Sequence, residues 1–359
     1  MKVLVFGAGF SVEAGYPPAE RLMAEIGARC SNFPVNDQAE RWQEFETWRE
    51  KQKRGALGQI CRSENPEYLL TYLDIADMIP DARLNEIFGQ ARGVELDRKT
   101  LAQMKRHIRS AYRGKERTIK RTLHKALADY FRWRNNEDSE PGALWRNGPY
   151  KRFFEQYVAN GDTVLTFNYD TLAEHSLLEL GKWTPADGYG FPVPASNVRS
   201  AVGATCPDRS LVKTLKLHGS VGWYEKGGRI KCKPWVLSEM GMLGDKLGER
   251  PSGDPTDLLL APSFVKLIQN RQMASVWSAA ARALRTAEQV IVIGYSLPKA
   301  DAAARALLAS SLGRRRCPIT VIDPAHKLAV AVSYETVLGR PITHHRQEFS
   351  KWVESGYPT

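Results

Sequence analysis

Cysteine is scarce in this sequence and never paired. The five (Cys30, Cys61, Cys206, Cys232, Cys317) are scattered over 359 residues with no C-x-x-C spacing. Neither a disulfide framework nor a zinc ribbon is indicated, and they read as free thiols of a reducing cytoplasm. Long hydrophobic runs are missing as well. Stretches such as Leu258–Ala261 and Val290–Ile293 fall far short of the roughly 18–20 residues that cross a bilayer, so no membrane span is expected. Met1–Phe6 has one lysine and a short apolar run before Gly7, too little for a secretory signal, and export is not expected. Low-complexity tracts and internal repeats are absent. With 43% hydrophobic and 25% charged residues, a disordered or fibrous chain is excluded.

Acidic residues are missing from one place in particular. Between Arg98 and Arg134 there are thirteen basic residues against two acids, Glu116 and Asp129, and this segment carries the whole net charge of +11. The basic positions interleave with Leu101, Met104, Ile108 and Tyr112, which makes one helical face apolar and the others basic. Such a surface serves as a plain solvated face, as an interface for an acidic or oligomeric partner, or as a nucleic-acid contact, the last being the least favoured.

What is present reads as alternating β and α. Apolar, β-branched runs at Lys2–Phe6, Thr163–Phe167, Thr214–Leu217, Leu258–Leu260, Gln289–Ile293 and Ile319–Ile322 predict strands. Helical spacing is predicted over Ser11–Ile26, Arg271–Glu288 and Ala300–Ser311. Between about residues 38 and 150 only helical periodicity occurs, with Tyr68, Leu69, Tyr72, Leu73, Ala76 and Ile79 as one stripe and Ile119, Leu123, Leu127, Tyr130 and Phe131 as another. The expectation is one α/β domain over residues 1–359, a Rossmann-like parallel sheet with helices on both faces and a helical insertion at about 38–150. Two segments rich in Gly, Pro and Asp, Trp183–Asp208 and Gly241–Asp257, read as long loops over the sheet.

Candidate chemistry sits at the strand ends. Gly7-Ala8-Gly9-Phe10-Ser11 follows the first strand. Its glycines either let the backbone approach a phosphate at a helix start or merely sharpen a βα corner. A third glycine of the dinucleotide fingerprint is missing, since Val12 stands there. Asn168 and Asp170 in Thr166-Phe167-Asn168-Tyr169-Asp170 share one side of an extended segment and can face one ligand, or form an Asx turn in which Asp170 caps the next helix. His218, in Leu217-His218-Gly219-Ser220, has the side chain suited to proton transfer at neutral pH, or is a structural histidine. His326, His344 and His345 lack partners at ligand spacing and read as structural. Gly294-Tyr295-Ser296-Leu297-Pro298, followed by Asp301, and Ile322-Asp323-Pro324 end two further strands, where they can meet a phosphate or a ribose.

Taken in order, G-A-G-x-S-x-x-x-G-x-P, T-x-N-x-D, H-G-S, G-Y-S-L and I-D-P resemble the sirtuin-type NAD-binding fold, and most closely its bacterial SIR2-like branch of NAD-consuming antiphage effectors. Leu260-Ala261-Pro262-Ser263-Phe264-Val265-Lys266 and Asn65-Pro66-Glu67 are similar to further stretches of that branch. The resemblance runs from residue 3 to about 324 and is poorest between about 85 and 150. It implies an NAD+ hydrolase releasing nicotinamide and ADP-ribose, with NAD as substrate and no metal. Gly7, Ala8, Gly9 and Ser11 would then cradle the pyrophosphate, and Asn168 would hold the nicotinamide ribose. Asp170 would read the carboxamide, His218 would be the general base, and Gly294, Ser296 and Asp323 would line the adenosine half. It further implies a homo-oligomer and an operon-encoded partner, an ATPase or a nucleic-acid-guided sensor. The sirtuin D-F-R is replaced by Pro18-Ala19-Glu20-Arg21, Cys206 and Cys232 stand singly, and Asp323 occupies a position where the branch usually has Asn. A protein deacylase is therefore the lesser expectation, behind a non-catalytic NAD or ADP-ribose sensor or scaffold.

Overall fold

The structure, a computed structural model, describes residues 1–31, 37–54, 58–66, 68–70, 73, 115–138, 148–193, 207–226, 228–232, 256–259, 270–299, 301–324 and 328–357. Strand β1, Lys2–Phe6, is buried from Val3 onward, as a strand covered on both faces must be. It pairs in parallel with β2, Thr163–Thr166, on one side and with β7, Gln289–Ile293, on the other, Val3 lying opposite both Thr163 and Val290. β3, Lys213–Lys216, extends the sheet beyond β2, and β8, Ile319–Ile322, and β9, Thr343–His345, extend it beyond β7.

The resulting order is β3-β2-β1-β7-β8-β9, all parallel. Counted along the chain within this sheet it is the 3-2-1-4-5-6 order of doubly wound dinucleotide-binding folds, whose direction reverses between β1 and β7. In folds of this order, right-handed crossovers running both ways from the first strand put helices on opposite faces of the sheet. This is the architecture expected from the sequence. A second sheet of three antiparallel strands, β5-β4-β6, follows His218 directly: β4 is Gly219–Lys226, β5 Arg229–Cys232 and β6 Thr256–Leu259. The apolar run read at Leu258–Leu260 thus overlaps a strand of this small sheet and not of the parallel one.

Local sequence explains the helices. Arg271–Thr286 buries Met273, Val276, Ala280 and Leu284 at helical spacing, and Asn270 caps it by accepting from Gln272 N at 2.9 Å and Met273 N at 3.2 Å. The continuous helix expected over Ser11–Ile26 is broken. A turn of α-helix at Ala8–Ser11 and a 3-10 turn at Val12–Ala14 close at Gly15, and Tyr16, Pro17 and Pro18 intervene before Ala19–Arg21 and the helix Leu22–Ser31. Pro17 and Pro18 have no N–H to continue the helical ladder, which the apolar spacing concealed.

The contacts form two compact units, Met1–Pro18 with Ala128–Thr359, and Ala19–Leu127. The elements described in the second are helices. This unit includes Leu22–Ser31, Asp37–Gln52 and Gly58–Arg62, packs Trp42 on Phe45, and buries Arg49, which donates to Cys61 O at 2.8 Å and Ser63 O at 2.9 Å. In the first unit the turn after β1 is anchored by aromatic rings. Phe10 stacks on Phe6 at 3.9 Å and meets the edges of Tyr150 and Phe349, and the Tyr150 hydroxyl donates to Phe10 O. Among the described residues no helix is long and apolar enough to cross a membrane.

Backbone approach is closest where β1 and β7 end. Gly9 N donates to Gly294 O at 2.9 Å, and Gly294 has φ of +63°. A Cβ at Gly294 would lie 2.2 Å from Phe10 N and 2.3 Å from Gly9 C. Gly294→Ala should therefore cost about 2–5 kcal/mol, left-handed strain plus overpacking. Gly161→Ala, at φ +89° with nothing within 4 Å, should cost only about 1–2 kcal/mol. Urea unfolding of both variants checks this, and equal losses would show that the close approach is not what demands glycine at 294.

Candidate active site

Ligands of open α/β sheets bind outside the carboxyl ends of the strands, where the order reverses. Gly7 follows β1 there, and its N–H continues the ladder to Ile293 O at 3.1 Å. A Cβ on Gly7 would lie 2.5 Å from Tyr295 Cα, so the turns after β1 and β7 touch backbone to backbone. Of the N–H groups expected to cradle a pyrophosphate, that of Gly9 is engaged with Gly294 O, and the next one, that of Phe10, with Gly7 O at 2.9 Å. Ala8 is half-buried beside them.

The loop after β2 closes on this turn. Asn168 Nδ2 donates to Gly7 O at 2.9 Å and to Ser11 Oγ at 3.0 Å, and Ser11 Oγ donates to Asp170 Oδ2 at 2.9 Å. Asp170 Oδ1 accepts from Leu172 N at 3.1 Å, at the start of the helix Leu172–Glu179. Asp170 thus makes an Asx turn with one oxygen, ahead of a helix whose N-cap is Thr171, and holds Ser11 with the other. With both N–H donors of Asn168 committed, its Oδ1 is the atom it can present to a ligand hydroxyl or a water. Gly7, Ser11, Asn168 and Asp170 therefore form one hydrogen-bonded group.

His218 lies in the turn between β3 and β4. Its ring meets the edge of Phe167 at 5.0 Å, and Phe167 in turn stacks flat on Tyr295 at 4.0 Å. Trp277 Nε1 donates to Leu217 O at 3.0 Å, and Val221 N donates to Tyr169 O at 3.1 Å, which fixes the turn from both sides. His218 Nε2 is 3.0 Å from Oδ2 of buried Asp301. Burial opposes ionisation of that carboxyl. The charge and hydrogen bond of His218, the Tyr295 hydroxyl and the Ala304 N–H outweigh burial and hold it below the usual aspartate range.

The remaining candidates stand on the other side of the reversal. Ser296 is half-buried after β7 and Asp323 is buried after β8, where its N–H donates to His345 O at 3.2 Å. β8 is three strands from β2, about 14 Å at the usual strand spacing, so these two belong to a different half of the cleft from Asn168. The Leu260–Lys266 stretch, residues 98–114 of the basic segment, His326 and Cys206 lie outside the described residues. A groove of about 400 Å³ at the amino ends of β2 and β3, lined by residues including Thr163, Asp187, Phe191, Lys213 and Arg282, contains none of the candidates.

Three side chains near the site carry no assignment in the sequence alone. There Asp301 is only a neighbour of the Gly294 turn. Lys216 and Glu174 are both fully buried and lie 3.0 Å apart, and Lys216 Nζ also donates to Asp170 O. Burial raises the Glu174 carboxyl above the ordinary glutamate range, and Lys216 opposes the shift without cancelling it. A lysine at the end of a short apolar strand, in Leu215-Lys216-Leu217, is the available signal.

Together these features describe a doubly wound α/β protein whose polar side chains gather where its strand order reverses. Two of the solved structures similar to the chain are these. One, described as a Sir2 homologue with a single serine-to-alanine mutation in complex with ADP-ribose, aligns at 12% identity and a TM-score of 0.41 over 99% of this chain and 89% of that one. The other, described as the structural basis for sirtuin substrate affinity, aligns at 11% identity and a TM-score of 0.36 over 100% and 94%. No family model and no curated protein matches.

The Lys216–Glu174 pair gives a direct test of how the Asp170 loop is held. Lys216→Met leaves a buried carboxyl without its cation and should cost about 3–5 kcal/mol in urea unfolding. Adding Glu174→Leu should recover at least half of that loss. A single-variant cost under about 1 kcal/mol would mean that the pair does not support the loop.

Proposed function

We propose that this protein is an NAD+ glycohydrolase that releases nicotinamide and ADP-ribose. The observation that carries the proposal is the meeting, at the carboxyl ends of β1, β2 and β3, of the Ser11–Asn168–Asp170 group with a histidine held against a carboxylate. Fold alone would not specify a reaction. These side chains match what this bond cleavage needs.

The C1′–N bond breaks with its electron pair leaving on nicotinamide, through a centre of oxocarbenium character like that of glycoside hydrolysis. Water then adds at C1′ and gives up one proton. In the proposed arrangement Asn168 Oδ1 accepts from a ribose hydroxyl or the attacking water, and Asp170 accepts from the carboxamide NH₂. His218 takes the proton, a contribution of roughly 10²- to 10⁴-fold. The turn after β1 lets the pyrophosphate approach the backbone closely, the N–H groups of Gly7, Gly9 and Phe10 being engaged within the fold. Ser296 and Asp323 face the adenosine half.

The wider reading rests on the sequence resemblance. In it the enzyme is a cytoplasmic antiphage effector that depletes NAD. It is held inactive until it assembles with further copies or meets a partner protein.

Incubation with NAD+ followed by chromatography of the products tests the reaction. Wild-type protein should yield nicotinamide and ADP-ribose in equal amounts, and His218→Ala and Asn168→Ala should each lose at least about 10²-fold in kcat while keeping the wild-type circular dichroism. Wild-type turnover in both variants would sink the assignment. Tight NAD+ binding with no product from the wild type would make the protein a binding module instead.

A further inference from the structure

Asp301 is built into the fold so that its carboxylate cannot turn. Oδ1 accepts from Ala304 N at 3.1 Å at the start of the helix Ala302–Leu312. Oδ2 accepts from the Tyr295 hydroxyl at 2.6 Å and faces His218 Nε2 at 3.0 Å. Tyr295 is itself fixed: Phe167 stacks on its ring, and the Tyr334 hydroxyl donates to its carbonyl at 2.9 Å. An ionised carboxylate only accepts hydrogen bonds, so the imidazole nitrogen it faces must carry the hydrogen. A neutral imidazole then has its lone pair on the other nitrogen.

We propose that Asp301 is the positioning residue of His218, holding the imidazole in its Nε2–H tautomer so that Nδ1 is the atom that takes the proton from the attacking water. The proton-transfer half of this statement rests on the NAD-cleavage reading, and the tautomer half does not. In the reaction Nδ1 gains the proton released as the C1′–O bond forms, and the imidazolium is stabilised by the Asp301 charge without proton transfer to it. The titratable groups around the pair are Tyr295 after β7, Tyr169 after β2, Tyr334 on the helix Leu328–Leu338 and, beyond Tyr334, Asp323. Lys216, two residues before His218, is engaged with Glu174 and Asp170. Tyr334 is pushed well above the ordinary tyrosine range by burial and then by the two aspartates, so it stays neutral. Asp301 is thus the carboxylate in contact with His218 among the described residues.

Nitrogen-15 NMR of histidine-labelled, full-length protein at alkaline pH reads the tautomer, with the His218 signals assigned by their loss in His218→Ala. Wild type should show Nε2–H. Asp301→Asn keeps the helix cap and side-chain size but turns an NH₂ toward Nε2, so His218 should switch to Nδ1–H. In the NAD+ assay the same variant should lose roughly 10³- to 10⁴-fold in kcat, as the equivalent exchange does in serine proteases. KM should stay within about threefold, so that the loss falls on the chemical step and not on binding. Wild-type protein in the Nδ1–H form overturns the proposal even if no variant folds. So does an unchanged tautomer or unchanged kcat in Asp301→Asn when the wild type turns over. If the wild type shows Nε2–H but releases no nicotinamide, Asp301 keeps its positioning role and the NAD-cleavage reading fails.

Discussion

The contact between the turn after β1 and the turn after β7 is the constraint on which the rest of the site depends. Gly9 and Gly294 meet at backbone distance, and Gly7 lies against the Cα of Tyr295. Gly7 is therefore the middle of the site. Its carbonyl is gripped by Asn168, which leads to Ser11 and Asp170, and its Cα side abuts Tyr295, which leads to Asp301 and His218. A side chain at 7, 9 or 294 would push these two groups apart. The glycines of the first motif thus have a packing role independent of any phosphate, and the same closeness brings the acceptor of Asn168 and the imidazole of His218 to one end of the sheet.

Two buried charge pairs stand a residue apart along the chain. Lys216 is committed to Glu174 and the Asp170 carbonyl, and His218 to Asp301. Taking charges out of water is costly, and well-packed apolar residues are often as stable in their place. Their presence here fits placement more than stability. Lys216 ties the end of β3 to the loop after β2, and Asp301 ties the turn after β3 to the helix after β7. Neighbouring positions on one strand end are in this way linked to opposite halves of the sheet, and the imidazole ring is left little room to rotate between Phe167 and Asp301.

The parallel sheet was legible because its strands are short, apolar and β-branched, and each ends in a polar or glycine turn. Lys2–Phe6, Gln289–Ile293 and Ile319–Ile322 coincide with β1, β7 and β8. β9 was not legible, since Thr343-His344-His345 has no apolar pattern, and neither was β5, where Arg229 and Lys231 alternate with Ile230 and Cys232 on a strand covered on one face only. The break at Gly15–Pro18 was hidden by apolar spacing that carries across it. In the site, the strand-end residues could be named because chain order and residue type mark them. Asp301, Glu174 and Lys216 could not be assigned partners, because their contacts join positions 42 to 83 residues apart in patterns that only the tertiary fold creates: Lys216 with Glu174, and His218 with Asp301. Asp301 in particular looks like an ordinary helix cap, and that is half of what it does.

The concentrated positive charge takes on a sharper meaning at its carboxyl end. Within the helix Lys115–Asp138, Ile119, Leu123, Ala126 and Leu127 are buried while Arg121 is exposed, the amphipathic pattern the sequence implies. The last residues behave differently from a solvated basic face. Phe131 stacks on Tyr16 at 6.0 Å and meets the edge of Tyr169 at 5.7 Å, between Asn168 and Asp170. Arg134 lies over the rings of Tyr16 and Trp133 and donates to Ala14 O at 3.4 Å. The end of the basic helix thus rests on both the segment that follows Ser11 and the loop that carries Asn168. An arginine stem held by aromatic rings contributes packing as well as charge. Phe131 and Arg134, at the carboxyl end of the segment that carries the surplus charge, are thus packing residues on Tyr16 and Tyr169, the latter lying between Asn168 and Asp170 in the chain.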